Sequence, residues 1–79
     1  MNYTYRVIIE PDGKHFHAYA PALKGCHTSG KTIAEAKKHI RQAIQVYVES
    51  LIMDGETIPT DESFETFQTI QTVNRRVYA

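Results

Sequence analysis

Cysteine is nearly missing from this 79-residue chain. Cys26 stands alone, so no internal disulfide can form, and a reducing, cytoplasmic setting is expected. An excess of charge of one sign is missing too. Nine basic and nine acidic residues cancel to a formal +0, leaving no broad field to draw in nucleic acid or a membrane surface. No apolar run is long enough for a bilayer-spanning helix. The opening residues, Met1-Asn2-Tyr3-Thr4-Tyr5-Arg6, lack the apolar centre of a secretory signal. No linker, repeat or low-complexity tract interrupts the chain. The expectation is one small domain over residues 1–79, at a size where oligomerisation often adds the missing stability.

Clusters that carry chemistry are scarce as well. The acidic residues sit in the central helix and around residues 54–65, and do not gather into the carboxylate set of a metal-dependent nuclease. Cys26, His27 and Ser29 are close in sequence, but alternation along a strand divides them between two faces, and no acid is near to complete a hydrolase triad. Arg75-Arg76, near Tyr78, are too few to hold nucleic acid. No enzyme, cofactor or metal is expected on these grounds.

What is present is a strong helix. Ile33, Ala36, Ile40, Ala43, Ile44, Tyr47 and Leu51 recur at threes and fours, opposite Glu35, Lys38, Gln42, Gln45 and Glu49. Thr32 and Glu35 form a capping-box pattern at its start, and Gly55 suits the left-handed position after its end, with Pro59 beyond. The helix should run for about 22 residues, about 33 Å. His39 falls on its polar side and is expected to be solvated.

Ahead of the helix, residues 3–10 alternate, with Tyr3, Tyr5, Val7 and Ile9 against Thr4, Arg6, Ile8 and Glu10. Pro11-Asp12-Gly13 signals a turn, and residues 14–20 alternate again, so the two strands form a hairpin. A bend at Pro21 leads to a short third strand near residues 25–29. After a loop over residues 57–62, Phe64, Phe67, Ile70 and Val73 repeat every three residues. Their β-branched and aromatic surroundings point to a fourth strand. The expected fold is α+β, two layers in the order β-β-β-α-β.

One helix covers one face of such a sheet. Tyr5, Val7, Ile9, Phe16, Ala18 and Ala20 belong to the covered face. Arg6, Ile8, His15, His17 and Tyr19 belong to the other. That second face is too mixed for ordinary surface and too polar for a second core, so it is where a partner is expected. Arg6, His15, His17 and Tyr19 are its candidate contacts.

Two short motifs compete with this reading. Gly25-Cys26-His27-Thr28-Ser29-Gly30-Lys31-Thr32 fits the phosphate-loop pattern letter for letter, which would make the chain a nucleotide-binding protein with Lys31 on phosphate and Thr32 on Mg²⁺. The context opposes it. The preceding segment is a hairpin arm containing Pro21, and no later apolar run ends in a suitable Asp. His15 and His17, with Cys26 or His27 on an adjacent strand, would be the start of a transition-metal site, but no second tight ligand pair accompanies them.

Taken together, Pro21-x-Leu23-x-Gly25-Cys26-x-Thr28-x-Gly30-x-Thr32-x-x-Glu35-Ala36, the aromatic hairpin before it, and the long helix with Ile58-Pro59 after it resemble the HicB-like antitoxins over about residues 3–60. The resemblance implies a partial RNase-H-like fold and a role in neutralising a small, basic, mRNA-cleaving HicA-type toxin by binding and masking it. In that family the residue before the helix cap is commonly acidic, so the Gly30-Lys31-Thr32 triplet looks accidental. Many members carry a further DNA-binding module. None is expected here, nor direct operator binding. The alternative within the same fold is a homo-oligomeric regulatory or structural protein, a dimer or tetramer, without a toxin.

Overall fold

The computed structural model describes residues 1–73. Its elements are β1 (Ile8–Asp12), β2 (His15–Tyr19), β3 (His27–Gly30) and α1 (Ile33–Met53). The strands form an antiparallel sheet in the order β1-β2-β3, with α1 packed over one face, mainly over β3 and β2. The α+β, two-layer expectation therefore holds. The hairpin turns one residue later than Pro11-Asp12-Gly13 suggests. Pro11 and Asp12 still pair with Phe16 and His15, and Gly13-Lys14 make the connection. Gly13 has φ +60° while Lys14 does not enter the left-handed region, the pattern of a two-residue II′ turn.

Both ends of the helix are closed by local hydrogen bonds. Thr32, extended at φ −132°, accepts at its side chain from the Glu35 N–H at 3.0 Å. Glu35 reaches back with Oε1 to accept from the Lys31 N–H at 3.0 Å, one residue earlier than in the standard capping box. At the other end the Gly55 N–H donates to the Ile52 carbonyl and the Glu56 N–H to the Leu51 carbonyl, with Gly55 at φ +67°. This is the Schellman closure that Gly55 permits.

The core consists of Ala18, Ala20, Leu23, Cys26, Ala36, Ile40 and Val48, with Tyr5, Val7, Ile9, Phe16, Ala43, Ile44, Tyr47 and Ile58 packed around it. All six residues assigned to the covered face of the sheet are in this set. The helix face differs at three positions: Ile33 and Leu51 lie outside this set, and Val48 belongs to it. Ile33, in the first turn of α1, is 54 % exposed, whereas Val48 is buried. Gly30 sets the spacing between layers. A Cβ there would lie 2.4 Å from the Ala36 backbone nitrogen.

His39 is not simply solvated: its Nδ1 lies 2.7 Å from the Ser29 carbonyl, linking α1 to β3. Cys26 is buried, and loss of hydration raises its thiol pKa above the ordinary value. Modification of Cys26 by a thiol reagent at pH 8 is accordingly expected to run at least about ten-fold slower in the folded chain than in denaturant, following the thiolate population and access. Equal rates in a stopped-flow assay would contradict this placement.

The expected fourth strand is absent among the described residues. After α1 the chain returns to the sheet at residues 58–61. Ile58 packs on the core, the Tyr5 hydroxyl donates to the Pro59 carbonyl at 2.7 Å, and the Arg6 N–H donates to Asp61 Oδ2 at 2.7 Å. Asp61 also accepts from the Ser63 N–H and hydroxyl, and the chain turns away there. Residues 64–73 make no ladder, and Phe64, Phe67, Ile70 and Val73 are 72–96 % exposed. Strand-forming composition needs an edge to pair with, and this segment does not follow one within its own chain. Arg75, Arg76 and Tyr78 lie outside the described residues.

Candidate functional site: the open face of the sheet

Alternation in β1 and β2 turns one set of side chains away from α1. The register places Glu10 opposite His17, Asp12 opposite His15, and Ile8 opposite Tyr19. β3 continues the face, with His27 opposite Tyr19 and Ser29 opposite His17. The Tyr19 hydroxyl donates to Glu10 Oε1 at 2.9 Å. That bond, helped by burial, raises the phenol pKa, while the nearby Arg6 charge acts in the opposite sense. The His17 ring stacks on Tyr19 with centroids 5.5 Å apart, and His27 meets His17 edge-on at 5.5 Å. The result is a continuous aromatic strip flanked by Glu10 on one strand and Ser29 on another.

The four candidate contacts are therefore distributed unevenly. His17 and Tyr19 form the centre. Arg6 lies close enough to Tyr19 to affect its hydroxyl, with its Nε shielded from solvent and unbonded among the described residues. His15 is exposed at the hairpin end, across from Asp12. Two members were not among the contacts read from the sequence. Glu10 shares the parity of Arg6 and Ile8, so period two alone could have included it. His27 required the β2–β3 register, which no local pattern supplies.

The same geometry settles what the short motifs are. Four of the eight phosphate-loop letters, His27-Thr28-Ser29-Gly30, are strand β3 paired to β2, and so do not curl into a nest of N–H groups. At the helix start the Glu35 carboxylate takes the Lys31 N–H, placing negative charge where a phosphate would sit. His17 and His27 approach each other, but no three metal-ligating side chains converge among the described residues.

A family model described as "HicB_like antitoxin of bacterial toxin-antitoxin system" matches residues 5–79. The chain belongs to the HicB-like antitoxin family. It is 44 % identical over 62 residues to a UPF0150 protein of Synechocystis, covering 76 % of this chain and 77 % of that one. It is 43 % identical over 65 residues to a UPF0150 protein of Thermoplasma acidophilum, covering 82 % and 93 %. Its fold is similar to the crystal structure of the N-terminal domain of the Burkholderia pseudomallei antitoxin HicB. The TM-score is 0.64 at 34 % identity, over 73 % of this chain and 69 % of that one. In this HicB-like chain the spaced Gly25-Cys26, Gly30 and Glu35-Ala36 residues have structural work. Gly25 takes φ +79° in the bend, Cys26 and Ala36 fill the core, Gly30 admits the helix, and Glu35 closes its start. Among the described residues no helix is long and apolar enough to cross a membrane.

Proposed function

We propose that the chain is a non-enzymatic antitoxin that neutralises a HicA-type, mRNA-cleaving toxin in the cytoplasm by laying the open face of its sheet over it. The single observation that carries this is the His27–His17–Tyr19 strip with Glu10 and Arg6, a preformed aromatic and polar surface that no element among the described residues covers. Aromatic and arginine side chains in such a setting supply most of the energy of protein interfaces. Glu10 and Asp12 offer acceptors to a basic partner. The outline is read as a partial RNase-H-like fold that works as a single domain through complementarity, with no bound cofactor and no direct contact to DNA. Replacing Tyr19 by Ala in this reading removes a central anchor worth about 2 kcal/mol, so Kd for the cognate toxin rises about thirty-fold. Calorimetry with the purified toxin measures this, with circular dichroism as the check on folding. Affinity unchanged in both Tyr19→Ala and His17→Ala would remove the open face from the mechanism.

A second reading is favoured by a different observation, the exposed apolar residues of 64–73. In it the chain assembles with copies of itself, as a dimer or tetramer, with or without a toxin bound. Light scattering on the isolated chain tests self-association, and repeating it with the purified toxin shows whether a toxin is bound as well.

A further inference from the structure

The edge of the sheet beside β1 has a role in neither the core nor the open face. Among the described residues β1 pairs only with β2, so its outward-facing backbone groups are unpaired, with Pro11 bringing a carbonyl but no N–H to that row. Because α1 packs mainly over β3 and β2, it leaves an apolar groove of about 660 Å³ between its outer side and residues 1–7, which lead into β1. Tyr5, Val7, Ile40, Ile44, Val48 and Ile52 line it. In a chain of this size an open edge and an open groove side by side are both unfavourable in water.

The same chain carries a segment that fits them. Residues 64–73 are rich in strand formers and expose Phe64, Phe67, Ile70 and Val73. In an extended strand Phe64 and Ile70 point to one side and Phe67 and Val73 to the other. A fourth strand at this edge needs apolar residues on both sides, one toward the groove and one toward Ile8 on the open face. Ten residues reach about 33 Å, enough to follow β1 (Ile8–Asp12) and the residues that lead into it. Charges agree as well: Glu62 and Glu65 accompany the segment, while Lys37 and Arg41 lie on the groove, with Glu49 as its acidic member.

The segment does not take its own edge. Asp61 meets Arg6 with a carboxylate oxygen rather than a backbone carbonyl, and its bonds from Ser63 turn the chain outward at the point where a ladder would begin. The Cα radius of gyration is 17.0 Å, against about 12 Å for a compact chain of this length.

We propose that residues 64–73 of one copy pair with the outer edge of β1 in a second copy and fill its groove, the two chains exchanging these arms reciprocally. This rests on the self-association reading and names its contact. The open aromatic face stays available to a toxin.

The test uses the full chain. Light scattering at 100 µM should return twice the single-chain mass of 9.0 kDa. Phe67→Ser with Ile70→Ser, both at exposed positions, should raise the dimer Kd about a hundred-fold, from the apolar burial lost. In a mixture of labelled and unlabelled chains, isotope-filtered NOEs should connect arm phenyl rings of one copy to Ile44 and Val48 methyls of the other. A single-chain mass for the unaltered protein would overturn both the arm exchange and self-association. A dimer whose mass and NOEs are indifferent to the arm substitutions would overturn the arm exchange alone.

Discussion

Gly30→Ala is expected to lower the thermal midpoint by more than about 12 °C, a loss of about 3 kcal/mol or more. The added methyl carbon would stand 2.4 Å from the Ala36 nitrogen, 2.8 Å from its Cα and 2.9 Å from the Glu35 carbonyl carbon. All three are backbone atoms in the first turn of α1, so no side chain can rotate out of the way. Relief requires the helix to rise off β3 at the place where the layers meet most closely. That movement also pulls on the Thr32–Glu35 and Glu35–Lys31 bonds that close the helix start, and on the His39 bond to Ser29. Ordinary overpacking costs 1–3 kcal/mol where side chains can adjust, and this site offers no such adjustment. A chain of 79 residues has about 4–12 kcal/mol of total stability, so the loss is a large share of it. Thermal unfolding followed by circular dichroism measures the effect. A shift under about 4 °C would mean that the sheet and helix are spaced more widely than described.

Leu23→Ala should cost a similar amount by the opposite mechanism. Leu23 is 1 % exposed and is, among the described residues, the largest side chain fully enclosed. It projects from the bend after β2, which is held by the Leu23 N–H on the Ala20 carbonyl, the Cys26 N–H on the Leu23 carbonyl, and the Ala20 N–H on the Cys26 carbonyl. Tyr47 ties the same bend to α1 through the Lys24 carbonyl at 3.0 Å. With its backbone tied down, the bend cannot collapse into the space left by a shortened side chain. Leu→Ala at such sites costs about 2–5 kcal/mol, and about 3 is expected here. Leu23→Met, which keeps the volume, should stay under about 1.5 kcal/mol. Urea denaturation of the two variants decides between packing and backbone effects. Equal losses would place the weight on the bend's conformation rather than on the leucine.

What the sequence determined by itself is the part governed by short-range rules. Thr32 with Glu35 and Gly55 mark the helix ends because the orphan N–H and C=O groups of a helix must find partners within one turn. Period two sorts Tyr5, Val7 and Ile9 from Arg6, Ile8 and Glu10 before any fold is known, and Gly13 provides the turn. The family resemblance rests on the same local features, since the matching glycines are those that a bend and a close approach of layers require. The tertiary structure decided the rest. Which residues end up under the helix depends on how α1 lies across the sheet, and this exposes Ile33 and buries Val48. The aromatic strip of the open face forms only when the β2–β3 register brings His27 to Tyr19 and His17, and Glu10 comes within reach of the tyrosine hydroxyl. For residues 64–73 the composition says strand, yet pairing is a property of two edges and not of one segment. Asp61 gives its carboxylate to Arg6 and turns the chain aside, so the segment's tendency is left unfulfilled within its own chain.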